Sequence, residues 1–272
     1  MLQISHLCAS IEKHPILHDI SFSLEGQICG LLGPNGVGKT TLLRCIVGAL
    51  NPKSGIIEKP KKIGYLPQHF GAYKSLSVYE TLSYYATLKE IPDKECKEAI
   101  AASMKATNLE QEARKKNGSL SGGMLRRLGI AQAILGTPEL VLFDEPTTGL
   151  DPEERMRFKL LLLDLKQQGI SVVISTHIVE DVEMVCDKII IMDKGEIVSD
   201  GSPEKTAALA KNKTFLVRAD KAALLQKPFY PVRGEWHDRK QWIRFVSSVR
   251  QGDTEAEPDL EDGYICAVHG LS

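Results

Sequence analysis

Apolar and polar residues alternate through "ISHLCASI" and "ILHDISFSLEG", the period-two pattern of half-buried antiparallel strands. The pattern then changes. "QICGLLG" is a short continuous apolar run and predicts a buried strand, while "KTTLLRCIVGAL" repeats at helical spacing, with Leu42, Leu43, Ile46 and Val47 on one side. "NPKSG" marks a turn, and "KKIGYLPQ" predicts a further strand ending at Gln68. From about Ser77 to Gly136 strand-like alternation vanishes. "SVYETLSYYATLKEI" and "DKECKEAIAASMKATNL" have helical periodicity, so this stretch predicts a helical insertion.

Beyond it, "ELVLFDEP" and "ISVVISTH" predict consecutive buried strands, separated by the helical "PEERMRFKLLLLDLKQQG". "KIIIMDKGEIVSDG" reads as a hairpin turning at Lys194-Gly195. Strands alternating with helices imply an α/β fold, a mainly parallel sheet with helices on both faces and an antiparallel β subdomain at its start. The pattern dissolves in "SPEKTAALAKNK", which predicts a link. "TFLVRA" and "QWIRFVSS" then predict strands, "KAALLQK" a short helix, and "RQGDTEAEPDLEDG" a loop. Residues 1–205 thus form the expected main domain, with 77–136 as its helical subdomain and 206–272 as a small α+β extension.

Composition narrows the classes. The 272 residues carry a formal net charge of −1, which offers no electrostatic footprint for nucleic acid. Six scattered cysteines without a C-x-x-C pair argue against a zinc site or a disulfide framework. The start has no charged leader followed by an apolar stretch, and no run approaches the roughly eighteen apolar residues of a membrane span. Work at a membrane would therefore need another chain to cross it.

"GPNGVGKTT", Gly33 to Thr41, is the G-x-x-x-x-G-K-T pattern, set after an apolar strand and before a helix. Its residues are Gly33, Pro34, Asn35, Gly36, Val37, Gly38, Lys39, Thr40 and Thr41. Glycines bring backbone N–H groups close to an anion, and the following helix adds its positive end. Lys39 reaches β- and γ-phosphates, the Thr40 hydroxyl ligates Mg²⁺, and Thr41 offers a hydroxyl to the α-phosphate. The plainer reading is a strand–turn–helix connection whose glycines only relieve strain. "LVLFDEP" weighs against it, because a buried strand there presents Asp144, suited to Mg²⁺, and Glu145, suited to polarising a water. Together the two motifs describe an NTPase.

"LSGGMLRRLGIAQAIL", Leu120 to Leu135, lies upstream of "LVLFDEPTTGLD" and resembles the signature of ATP-binding cassette (ABC) proteins. The motif order is similar throughout residues 1–205: phosphate loop, Gln68, "LSGG", Asp144-Glu145, "GLD" at Gly149 to Asp151, and His177 closing a strand. The resemblance implies a P-loop NTPase fold and ATP with Mg²⁺. It also implies a head-to-tail pair of cassettes, identical or different, with each ATP between the phosphate loop of one and Ser121, Gly122 and Gly123 of the other. By the same resemblance Glu145 is the general base, His177 contacts the γ-phosphate, Gln68 senses Mg²⁺ and the water, and Asp151 crosses to the opposing cassette.

Two departures stand out. Ile11 occupies the position where such cassettes place an aromatic against adenine, so a plain apolar contact would replace stacking. Met124 stands where glutamine is commonest, and "GGMLRR" is similar to the exporter branch, as are "GYLPQHFGAYKSLSVYETLSYYATLKEI" and the tail "PDLEDGYICAVHG". The resemblance therefore implies a peripheral ATPase on the cytoplasmic face of a membrane, bound to a separate transmembrane permease. Aromatics Phe70, Tyr73, Tyr79, Tyr84 and Tyr85 are the candidates for docking that subunit. The rival reading, an ABC ATPase acting on ribosomes or DNA, lacks the tandem cassettes or basic surface it would call for.

Overall fold

The structure is a computed structural model and describes residues 1–271. Its first strands, β1 (Leu2–Ile11) and β2 (His14–Leu24), form an antiparallel hairpin whose alternate residues are buried. β3 (Ile28–Leu32) is buried along its whole length and leads through the glycine loop into α1 (Lys39–Val47). β4 (Ser54–Glu58) follows the expected turn and completes a three-stranded antiparallel sheet beside β1. The local pattern does not announce β4, because an exposed edge strand lacks a buried face to pattern it.

β5 (Ile63–Leu66) stops before Pro67, two residues short of Gln68, since proline has no N–H to give a sheet. The helical insertion holds α2 (Val78–Leu88), α3 (Asp93–Ala106) and α4 (Gly122–Ile134) around their own apolar core, including Val78, Leu82, Ile100 and Leu128. Ser77 and Glu80 start α2 with a reciprocal capping box. β6 (Leu140–Asp144), α5 (Pro152–Gln167), β7 (Ser171–Thr176) and the hairpin β8 (Lys188–Asp193) to β9 (Glu196–Gly201) follow. The central sheet has the order β5-β6-β7-β3-β8-β9, parallel except for β9.

Period-two alternation divides the buried strands between two layers. Ile28, Leu32, Val141 and Phe143 face α5, where Phe143 meets Phe158 edge-on at 5.1 Å. Cys29, Leu31, Leu140 and Leu142 face α1 and the antiparallel sheet. α4 lies close on β5: a Cβ on Gly64 would stand 2.0 Å from the Ala133 carbonyl oxygen, so only glycine permits the approach. Gln132 Nε2 donates to the Tyr65 carbonyl at 2.7 Å across the same seam.

The expected link is instead a helix, α6 (Pro203–Ala207), with Ser202 as its cap and proline in its first turn. β10 (Thr214–Arg218), β11 (Tyr230–His237), β12 (Lys240–Val246) and β13 (Thr254–Glu255) make a four-stranded antiparallel sheet. "KAALLQK" contributes only to a 3-10 turn, Ala219–Leu224. The acidic stretch read as a loop ends in α7 (Leu260–Val268), capped by Asp259. Asp262 on that helix is fully buried and accepts both Arg244 Nε, at 3.0 Å, and Arg244 Nη2, at 2.5 Å. Leu260 and Ala267 join the core under α5, so α7 ties the last sheet to the central one.

Lys89, just past α2, caps the other end of α4 by donating from Nζ to the carbonyls of Gln132 (2.6 Å), Ala133 (3.1 Å) and Leu135 (2.9 Å). Burial pulls its ammonium down from 10.5 to about 8. The folded chain therefore binds fewer protons than the unfolded chain between those values, and this group's contribution to stability rises with pH across that window. Denaturant unfolding of wild type and Lys89→Met from pH 7 to 11 should show the wild type gaining stability over the variant above pH 8. A pH-independent difference would contradict the burial of this charge.

Candidate functional site

The parallel order sets the carboxyl ends of β3, β6 and β7 side by side, with Asp144 paired to Ser175 and Leu32 to Thr176. Three loops consequently leave the sheet at one place. Gly38 caps α1 in the left-handed region at φ +107°, and a Cβ there would stand 2.7 Å from Leu17. That conformation opens the loop and leaves the first N–H groups of α1 without helical partners. Lys39 is buried inside the loop and donates from Nζ to the carbonyls of Gly33 (2.5 Å) and Pro34 (3.0 Å), with Glu145 Oε1 at 4.0 Å. Burial pulls its ammonium below the usual range, and Glu145 and then Asp144 oppose that pull.

Asp144 is completely buried. One of its oxygens, Oδ1, accepts the Thr40 hydroxyl at 3.2 Å and the Ser175 hydroxyl at 2.5 Å. The other, Oδ2, is buried without a partner. An unpartnered carboxylate oxygen beside a threonine hydroxyl and a phosphate loop fits Mg²⁺, a cation that takes oxygen donors and shares its shell with substrate phosphates. Among the described residues no cluster of three or more His, Cys, Asp or Glu side chains forms a self-contained metal cage.

Glu145 follows with φ +50°, a left-handed backbone that costs a non-glycine residue about 1–3 kcal/mol. Both neighbouring peptide groups are held. Its N–H donates to the Ser175 carbonyl (3.1 Å) and hydroxyl (3.2 Å), and its carbonyl accepts Arg126 Nη2. The carboxylate is buried yet has His177 Nδ1 3.1 Å from each oxygen, and the His177 ring is 44% exposed. A buried acid with a half-open imidazole beside it is an arrangement able to take a proton from water and pass it through the imidazole toward solvent.

Thus Gly33–Thr41, Asp144, Glu145 and His177 converge. The remaining candidates lie outside that cluster. Gln68 is exposed and joins through its carbonyl, which accepts Arg126 Nη1 at 3.0 Å. Ser121 and Gly122 are exposed at the start of α4, where Ser121 Oγ accepts the Met124 N–H at 3.2 Å; Gly123 is half-buried against Glu154. Asp151 is an exposed cap of α5 and accepts the Glu154 N–H at 2.8 Å. Ile11 sits 43% exposed at the tip of the β1–β2 hairpin, paired with His14.

Sequence reasoning misses Ser175 and Arg126. Ser175 is a lone hydroxyl in an apolar strand, and Arg126 is one of two arginines in "GGMLRR"; their partners lie 31 and about 18–59 residues away. A second overlooked tie joins Thr147 Oγ1 to the buried carboxylate of Asp181, linking the segment after Glu145 to the one after His177.

The ABC transporter family profile matches residues 17–148. The ABC transporter ATP-binding protein YxlF of Bacillus subtilis is 40% identical over 205 residues, covering 72% of this chain and 69% of that one. The chain belongs to the ABC transporter ATP-binding family. Linearmycin resistance ATP-binding protein LnrL of Bacillus subtilis is 35% identical over 215 residues, 74% of this chain and 69% of that one. Among solved structures, CbiO1 of Clostridium perfringens, described as part of the ABC transporter complex CbiONQ, is 30% identical with a TM-score of 0.66, over 76% of this chain and 90% of that one. An ATP-binding subunit of an ABC transporter, 25% identical, matches with a TM-score of 0.71 over 76% and 91%. This cassette is accordingly an ATPase and the ATP-binding subunit of a transporter.

Asp144→Asn keeps an acceptor for Thr40 and Ser175 but removes the charge offered at Oδ2. Magnesium-dependent hydrolysis should fall by about 10²–10³-fold while the thermal transition moves little. Titration of Mg²⁺ in an ATPase assay checks this; full activity restored by excess Mg²⁺ in a folded variant would assign Asp144 a weaker role.

Proposed function

We propose that this cassette powers an exporter, as one member of a cassette pair that ATP closes, docked on a separate membrane-spanning permease. The observation that carries the pairing is the outward-facing start of α4. Ser121 and Gly122 are exposed, a Cβ on Gly122 would meet nothing within 4 Å, and among the described residues no hydrogen bond joins Leu120–Met124 to Gly33–Thr41. A capped helix N-terminus is an anion cradle, and a second cassette supplies the phosphates for it to grip. ATP held between two copies then couples nucleotide binding to closure.

Within each site, Gly33, Pro34, Asn35, Gly36, Val37 and Gly38 wrap the phosphates, Lys39 balances the β- and γ-phosphate charge, and Thr41 faces the α-phosphate. Thr40, Asp144 and Gln68 would hold Mg²⁺, which would supply positive charge against the phosphates. Glu145 accepts a proton as the water oxygen bonds to the γ-phosphorus. The bond to the bridging oxygen breaks, and its electron pair leaves on ADP. His177 orients the Glu145 carboxylate and contacts the γ-phosphate. Asp151 reaches the opposing cassette, and Ile11 gives the base an apolar contact in place of a stacked ring.

The cassette sits peripherally on the cytoplasmic face beside its permease, and among the described residues no helix is long and apolar enough to cross a membrane. Tyr73, just before the helical insertion, and Tyr79 and Tyr84 on it are exposed and supply aromatic anchors for the permease; Phe70 and Tyr85 are half-buried and fill the insertion's core instead. Export is favoured by "GGMLRR" and by the resistance role that LnrL's name carries. Residues 206–272 act as an accessory extension of a cassette spanning 1–205.

Glu145→Gln should lower ATP turnover by about 10²–10⁴-fold and trap ATP-bound pairs, read as a doubled mass by light scattering at saturating ATP. Unchanged hydrolysis in that variant would overturn the assignment of the base.

A further inference from the structure

Arg126 is buried at the centre of the site without touching the phosphate loop. Its guanidinium has five N–H groups, and five backbone carbonyls receive them. Nε donates to Pro146 (3.0 Å), Nη1 to Pro67 (3.1 Å) and Gln68 (3.0 Å), and Nη2 to Asp144 (2.7 Å) and Glu145. Two loops far apart in sequence are thereby pinned by one side chain: the one that carries Gln68 and the one that carries the two acids. Burial works against the charge, while the neighbouring Asp144 and Glu145 carboxylates favour it.

The base of this clamp is rigid. A Cβ on Gly129 would stand 2.6 Å from Leu66 and 2.9 Å from Phe70, and Gly64 admits the Ala133 backbone on the next turn. With Gln132 bonded to Tyr65, α4 is seated on β5 at several successive positions. Arg126 projects from α4 five residues after Ser121, about 7 Å along the helix axis. One helix therefore begins at the exposed anion cradle and, within two turns, holds the backbone of the catalytic loop.

We propose that Arg126 is a positioning residue for hydrolysis, holding the left-handed backbone of Glu145 and the turn at Gln68 in the geometry that the attacking water requires. Ser175 holds the amide side of that strained residue, while its carbonyl accepts Arg126 Nη2 and, at 3.3 Å, the Thr148 N–H. Without the guanidinium, the Glu145 carbonyl keeps the Thr148 N–H at 3.3 Å but loses its charged donor, and φ +50° relaxes toward the right-handed region, swinging the carboxylate away from His177. The proposal rests on Glu145 being the base.

The test uses the full-length chain with its permease, comparing Arg126→Gln, Arg126→Lys, Glu145→Gln and the double variant Arg126→Gln/Glu145→Gln. Arg126→Gln should lower kcat about 10²-fold with the KM for ATP unchanged. Arg126→Lys, with three donors in place of five, should recover part of that loss. The double variant should be no slower than Glu145→Gln alone, because both act on one step. Normal turnover in both Arg126 variants beside an inactive Glu145→Gln would overturn the proposal and leave the base intact. Losses that add in the double variant, or failure of both Arg126 variants to fold, would assign Arg126 to stability alone. Active Glu145→Gln would instead overturn the base reading on which the proposal stands.

Discussion

One buried carboxylate oxygen organises this molecule. Asp144 Oδ1 accepts hydroxyls from Thr40 and Ser175, so the end of β6 is tied to the helix that follows β3 and to the end of β7. The geometry depends on a parallel sheet in which those three strands terminate together. Both hydroxyls bond Oδ1, and Oδ2 is left for a ligand. An apolar residue at either hydroxyl position would fill the same space but leave the buried charge without its hydrogen bonds, a larger loss than the packing would return.

Around that point the chain stores strain and then constrains it. Glu145 adopts a backbone conformation unfavourable for its residue type, and it is held because Ser175 pins its amide and Arg126 its carbonyl. The pinning groups belong to different layers: Ser175 to the sheet, Arg126 to the helical insertion. Displacing the insertion relative to the sheet would therefore act on the acid directly, through a bonded contact. Lys89 bonds the far end of α4 to the segment after α2, and the close seam at Gly64 seats the same helix on β5.

Most of the central sheet is legible in the sequence because its strands carry local signals. "QICGLLG", "LVLFDEP" and "ISVVISTH" are apolar runs of strand length, and the glycine loop declares its chemistry within nine residues. Helix α7 is illegible for a physical reason: its acidic residues look like a solvated loop, yet Asp259 is a cap and Asp262 is buried on Arg244 from another strand. β11 carries Pro231 and Gly234, which weaken a strand signal and are tolerated because it lies on the edge of its sheet. α6 does have its signal, serine followed by proline, but a polar low-contrast stretch masks it. Arg126 and Ser175 show the general limit, since both act on partners that only the folded chain brings near.

The claim at the centre is that a working site is assembled from two cassettes, the phosphate loop of one and the start of α4 of the other. Hydrolysis by a mixture of two inactive chains tests it most directly, one carrying Lys39→Ala and the other Ser121→Arg. In a mixed pair, one composite site collects both defects and the other has neither, so the mixture is predicted to recover turnover that each chain alone lacks. A mixture that remains inactive at every ratio, with both chains folded and paired, would mean that the two elements do not meet across chains.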